Sequence, residues 1–172
     1  MKRSRPVLMV LFAALVAGAA ALAWQAADES GRGKRAPTVS YTLLDGSKHD
    51  SADQRGKVVL VNFWATSCTT CVAEMPQLVA THAQFQARGF DTVAVAMRYD
   101  APANVVRFAA SRQLPFGVAI DNTGEIAKRF GEVELTPTTF LIDKRGHIAK
   151  RWVGTPDFAA LRLLIERLLA EA

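Results

Sequence analysis

Cysteine is nearly absent from this chain: Cys68 and Cys71 are the only two among 172 residues. That leaves no second thiol pair to relay electrons internally, and no cysteine near the N-terminus to carry a lipid. Histidine is also scarce, with only His49, His82 and His147. No long basic run with interleaved aromatics is present. The net charge is +5, but Lys2, Arg3 and Arg5 supply three of those units. The remaining excess is too small to argue for a nucleic-acid surface, so that class of partner is set aside. Internal repeats and low-complexity segments are missing too. The length suits one globular domain of ordinary size plus a short extension.

The extension is legible at the start. Met1 to Pro6 is positively charged, and Val7 to Trp24 holds no charged or strongly polar residue. At about 1.5 Å rise per residue, that run approaches the roughly 30 Å hydrocarbon core of a bilayer. Residues 1–25 are therefore expected to be a secretory signal or a membrane anchor. Ala21-Leu22-Ala23 resembles a small-residue cleavage site, whereas the length of the run exceeds a usual signal core and favours retention as an anchor. In either case the basic end stays cytoplasmic and the rest is exported to the envelope, where a disulfide can persist. Residues 26–36 are small, charged and glycine-bearing and read as a linker.

Residues 37–172 alternate strand and helix patterns. Val39, Tyr41 and Leu43 alternate with polar residues before an Asp45-Gly46 turn, which predicts a short hairpin. The apolar run Val58 to Trp64 predicts a buried central strand, and Phe90 to Met97 another. Between them lies a helix with Met75, Leu78, Val79, His82 and Phe85 at helical spacing, interrupted by Pro76 and ended by Gly89. A helix over 103–112, a brief strand over 116–120 and a short helix over 125–130 follow. Thr138 to Ile142 and His147 to Val153 predict a hairpin around the 143–146 turn, and 158–169 a last helix. This order implies an α/β fold with helices packed around a mixed central sheet.

Chemistry concentrates at Ser67-Cys68-Thr69-Thr70-Cys71, at the junction of the central strand and its following helix. A CxxC in that position is the sequence signature of a thioredoxin-like redox site. Two cysteines three positions apart on a first helical turn can close a small disulfide ring. The first sulfur then lies among unpaired backbone N–H groups, which with the helix dipole favour the reactive thiolate. A purely structural disulfide is the rival reading. It is disfavoured because so small a loop constrains little unfolded-state entropy.

The stretch Asn62-Phe63-Trp64-Ala65-Thr66-Ser67-Cys68-Thr69-Thr70-Cys71-Val72-Ala73-Glu74-Met75-Pro76 resembles the active site of TlpA/ResA-type membrane-anchored thioredoxins. Thr136-Pro137-Thr138-Thr139-Phe140-Leu141-Ile142-Asp143 resembles that family's second signature. The resemblance spans about residues 36–170 and implies a thioredoxin-like fold with an N-terminal hairpin. It implies Cys68 as the attacking thiolate and Cys71 as the resolving thiol, exchanging through a mixed disulfide. Pro137 would be the family's cis-proline, leaving the backbone of Thr136 to pair with a substrate strand. Glu74 would sit near the thiols and tune their protonation, the alternative being a solvated carboxylate. Asn62 stands where many thioredoxins carry a buried acid, which adds weight to Glu74. Trp64 packs beside the site or serves as a plain core residue. Pro76 has a structural part in the helix.

Two positions depart from the pattern. Ser67 replaces the tryptophan that many relatives use to shape the docking surface, and Thr69-Thr70 lacks the common proline. Of the histidines, His49 and His147 are expected to be exposed and His82 to be a satisfied core residue. A Sco-type copper chaperone needs CxxxC spacing and a distal histidine; a peroxiredoxin needs threonine where Ala65 stands. Neither fits. The resulting expectation is an envelope thiol–disulfide oxidoreductase with no cofactor and no metal. It would act as a reductant on protein disulfides in cytochrome c maturation or copper-site assembly. A membrane thiol reductant would recharge it at the periplasmic face of the inner membrane. A disulfide-forming oxidant and a copper-binding module using the two thiolates are the alternatives.

Overall fold

Every residue of Val58–Trp64 is buried, as a strand with both faces covered requires. In the computed structural model, which describes residues 33–171, this is the middle strand of the sheet. The expected signal or anchor at 1–25, and most of the linker at 26–36, lie outside the described residues. In chain order the strands are β1 (Ser40–Thr42), β2 (Lys48–Asp50), β3 (Val58–Trp64), β4 (Phe90–Ala96), β5 (Gly117–Ile120), β6 (Thr138–Ile142) and β7 (Ile148–Val153). The helices are α1 (Thr69–Phe85), α2 (Pro102–Arg112), α3 (Glu125–Arg129) and α4 (Phe158–Ala170).

The central sheet runs β5-β4-β3-β6-β7. β4 is parallel to both β3 and β5, whereas β6 is antiparallel to β3 and β7. Alternate residues of β3 feed two cores, as the two-residue period of a strand dictates. Val58, Leu60 and Trp64 pack with Met75, Leu78 and Phe85 of α1, Val105 of α2, and Leu161, Ile165 and Leu168 of α4. Val59, Val61 and Phe63 pack on the opposite side with Ile126 and Ala127 of α3, Phe130, Phe140 and Val39. β1 and β2 form the separate N-terminal hairpin, closed by the Leu43–Ser47 turn with Gly46 at φ +86°. The α/β architecture with a mixed sheet, helices on both faces and that hairpin is the expected fold. Among the described residues no helix is long and apolar enough to cross a membrane.

Local details refine the sequence reading. α1 runs unbroken through Pro76 and ends at Phe85; a 3₁₀ turn over Gln86–Arg88 then carries the chain to Gly89 at φ +91°. α2 opens on Pro102, whose missing N–H costs nothing at a helix start.

One expectation is overturned. His147 is buried, with 6% of its surface exposed. The chain entering the domain covers it: Ala36 N–H donates to the Gly146 carbonyl at 2.9 Å and Ile148 N–H to the Lys34 carbonyl at 2.8 Å. Arg35 and His147 thereby form an antiparallel bridge, and regular β7 begins one residue later, at Ile148.

Candidate active site

β3 ends at Trp64, and Ala65–Ser67 turn the chain into α1. Cys68 is the N-cap, in extended conformation at φ −89° and ψ 103°. Its N–H donates to the Ala65 carbonyl at 3.1 Å, and its own carbonyl accepts from Val72 N–H at 3.1 Å. The Cys68 sulfur accepts from Cys71 N–H at 3.2 Å, a contact in which sulfur stands in for the oxygen of a usual cap. The Thr70 hydroxyl lies 3.3 Å from the same sulfur. The two cysteines are joined as a disulfide, with Cα atoms 5.2 Å apart.

Exposure divides the pair. Cys68 is half-buried at the start of the helix, whereas Cys71 is completely covered. Only the first sulfur is open to a partner. Trp64, also fully buried, shares one core with Cys71 and sets its ring 5.1 Å from that of Phe108.

Glu74 follows Cys71 by three residues, on the same side of α1. It is 3% exposed, so the solvated alternative does not apply. Asn62 Nδ2 donates to Glu74 Oε1 at 3.1 Å and to the Thr139 hydroxyl oxygen at 3.0 Å. Among the described residues, Glu74 Oε2 and Asn62 Oδ1 are buried with no hydrogen-bond partner. Burial pushes the Glu74 carboxyl above its ordinary value of 4.5, while the Thr155 hydroxyl and the Asn62 amide act in the opposite sense.

The peptide bond between Thr136 and Pro137 is cis. β3 and β6 pair Phe63 with Thr138, so Pro137 immediately precedes β6 at the end of the sheet where β3 leads into the CxxC turn. The Pro137 carbonyl accepts from Gly154 N–H at 2.8 Å. Thr136, half-buried, has its hydroxyl 3.2 Å from that of Tyr99. Ser67 is exposed. The CxxC turn and the Pro137 turn therefore lie at the same end of the sheet.

Sequence reasoning missed Asp100. Its carboxylate is 5% exposed and accepts from Thr66 N–H at 2.5 Å and from the Thr66 hydroxyl at 2.6 Å. It fastens the loop after β4 to the turn that carries Cys68. Its partner Thr66 lies 34 residues away along the chain in a different loop, which is why nothing in the sequence flagged it. The N-cap of α2 is Ala101, which makes no side-chain cap.

Comparison with known proteins agrees with this geometry. Residues 32–161 match the Redoxin family. The chain is 33% identical over 159 residues to the thiol–disulfide oxidoreductase ResA of Bacillus cereus, covering 90% of this chain and 91% of that one. It is 38% identical over 122 residues to ResA of Bacillus thuringiensis subsp. konkukian, covering 71% and 69%. Among solved structures, a thiol:disulfide interchange protein of the thioredoxin family from Chlorobium tepidum superposes with a TM-score of 0.73 at 29% identity, covering 81% of this chain and 98% of that one. With a redox-type disulfide at the N-cap of α1, this chain belongs to the Redoxin family and is a thiol–disulfide oxidoreductase of the ResA type.

Proposed function

We propose that this oxidoreductase works as a reductant of partner-protein disulfides at the periplasmic face of the inner membrane, held there by residues 7–24. Its substrates on this reading are disulfides of the proteins of cytochrome c maturation or of copper-site assembly. The asymmetry of the cysteine pair is the observation that carries the exchange chemistry: one sulfur half-open at a helix N-terminus, the other sealed.

In the reduced chain the Cys68 thiolate attacks one sulfur of the partner disulfide. An S–S bond forms to Cys68, and the partner's other sulfur leaves as a thiolate and takes a proton. Cys71 then loses its proton and attacks the Cys68 sulfur, closing the internal disulfide and freeing the second partner thiol. Two electrons have moved to the partner, and a membrane thiol donor must return them.

Glu74 supports the reducing direction. A carboxylate near the sulfurs disfavours a thiolate, whereas strong oxidants owe their power to a stabilised reduced thiolate. Thr136 beside Pro137 offers backbone for pairing with the partner strand, and Trp64 backs the buried sulfur.

Redox equilibration tests the direction. A reductant is expected near the thioredoxin value of about −270 mV; a potential near about −120 mV would assign the chain to disulfide formation instead. Cys71→Ser, which halts exchange at the mixed disulfide, should trap the partner on Cys68 for identification. Metal titration of the reduced chain, with Cys→Ser controls, separates the copper-binding alternative. Full-length protein should remain in carbonate-washed membranes; a soluble form starting near Trp24 would mean a cleaved signal.

A further inference from the structure

Basic residues gather at the end of the sheet away from the cysteines. β3 enters the sheet at Val58 and leaves at Trp64 toward Cys68, and Val59 pairs with Ile142, so the 143–146 turn lies at the entry end. At about 3.3 Å per residue, β3 separates the two ends by roughly 20 Å.

Three segments far apart in the chain are stitched together at that end by their backbones. Ile148 N–H donates to the Lys34 carbonyl, Ala36 N–H to that of Gly146, and Gly56 N–H to that of Lys144 at 2.8 Å. Arg55 Nη1 donates to the Arg145 carbonyl at 2.7 Å. Its guanidinium lies across Gly146, where a Cβ would come within 2.7 Å of it. Lys34, Arg35, Arg55, Lys144 and Arg145 are thereby held on one surface, and all but the half-buried Lys144 are exposed. Nearby acids offset only part of this charge. Asp143, with 13% of its side chain exposed, turns inward: Oδ1 accepts from the N–H groups of Arg145 and His147, and Oδ2 lies 3.7 Å from His147 Nδ1. Asp53 stands two residues from Arg55, and Glu171, whose carbonyl accepts from Lys144 Nζ, stands at the edge.

The place where the chain enters the domain fixes what such a surface meets. Lys34 lies only ten residues after Trp24, the end of the apolar run. Ten residues reach at most about 36 Å when fully extended. With residues 7–24 in a bilayer, this end of the domain is kept at high effective concentration beside the headgroups. Lysine and arginine are drawn to anionic headgroups, over a range of about 8 Å at physiological ionic strength.

We infer that the basic end of the domain rests on an anionic phospholipid surface and so turns Cys68 away from the membrane, toward soluble partner proteins. The inference rests on the reading of residues 7–24 as a membrane anchor. A donor buried in the membrane then meets Cys68 only when the domain lifts off, so docking favours delivery of electrons over reloading.

Amine labelling with mass mapping tests this on the full-length chain, in vesicles of phosphatidylcholine alone or of phosphatidylcholine mixed with phosphatidylglycerol. Lys34 and Lys57, at the basic end, should label several-fold more slowly in the anionic vesicles, while Lys128 on α3 changes little. Salt at about 1 M, which shortens the screening length to about 3 Å, should remove the difference. Arg35→Gln with Arg145→Gln should lose most of the protection, at about fivefold in the docked-to-free ratio for each charge removed. Arg35→Lys with Arg145→Lys keeps both charges and should keep the protection. Equal labelling of Lys34 and Lys57 in the two membranes would overturn the inference. So would a loss in the lysine pair as large as in the glutamine pair. A like loss from Arg98→Gln with Arg107→Gln, exposed charges on α2 and the loop before it, would also overturn it. A chain that carbonate washes from the vesicles would overturn the anchor reading and this inference with it.

Discussion

Asn62 and Glu74 form one buried unit: the amide of the central strand donates to Oε1 of the helix carboxyl at 3.1 Å. The second amide hydrogen goes to Thr139 on the neighbouring strand. With both donors committed, the amide cannot turn freely. Thioredoxins that place an acid on the strand have a titrating group there; here the strand supplies the donor and the helix supplies the acid.

Glu74→Gln is expected to lower the pH at which Cys68 ionises in the reduced chain and to raise the reduction potential, because a nearby negative charge is lost. Gln keeps the shape and suits a helix. Stability gives a second reading, taken on the oxidised chain so that no thiol titrates. The carboxyl is raised above 4.5 in the fold, so the folded state holds a proton that the unfolded state has released. Wild-type stability should therefore fall as pH rises from 4.5 through the raised value, and this decline should be missing in Glu74→Gln. A thiol titration that does not move in the variant would separate Glu74 from the sulfurs.

Asn62→Leu removes the donor to Oε1 and should drive the carboxyl further up. The pH profile of Cys68 alkylation should shift in this variant only while Glu74 is present. In a Glu74→Gln background the same substitution should leave the profile in place. A shift of equal size in both backgrounds would mean that Asn62 acts on the sulfurs by another route.

The two sulfurs should also differ directly. In the reduced chain Cys68, half-open and at the helix N-terminus, is expected to react with a thiol alkylator well ahead of Cys71. Mass mapping of the labelled peptide decides this, and equal rates would reverse the assignment of attacking and resolving roles.

What the sequence disclosed and what it hid divide along contact range. β3 was legible because seven consecutive residues are buried, and the cysteine pair because its chemistry lies within one helical turn. Asn62 and Glu74 were each noticed, but separately; their bond spans a strand and a helix and depends on how α1 packs. Asp100 was invisible, since its partner Thr66 belongs to a different loop. His147 is hidden for the same reason: a histidine beside a hairpin turn is normally wet, and the backbone bonds of Lys34 and Ala36 to Ile148 and Gly146 join segments far apart in the chain.

Asp100 should matter for stability out of proportion to its place in a loop. Removing it by Asp100→Ala leaves the Thr66 N–H and hydroxyl without their acceptor in a partly buried turn, at a cost of about 1–3 kcal/mol. Thr66→Val loses the hydroxyl bond alone and should cost less. Adding Thr66→Val to Asp100→Ala should cost little more, since the bond is already gone. Urea unfolding of the oxidised chain measures all three variants, and full additivity would show that the pair does not act as a unit.

His82 provides the opposite pH signature to Glu74. Burial pushes its imidazole below the ordinary 6.5, against weaker opposing effects of Asp91 and Gln86. Its Nδ1 lies 3.2 Å from the Thr92 hydroxyl, and its ring packs on Phe90 and Phe116. As pH falls below 6.5 the unfolded chain binds a proton at His82 that the folded chain refuses, until the lowered folded value is reached. The stability due to this residue is therefore present above 6.5 and lost through that window, with a slope of at most about 1.4 kcal/mol per pH unit. Glu74 works the other way as pH falls, so the two must be separated. In a Glu74→Gln background, unfolding free energy should drop between pH 7 and 5, and His82→Gln, which cannot titrate, should flatten the drop. Parallel curves with and without His82 would show that the ring is protonated equally in the folded and unfolded chain.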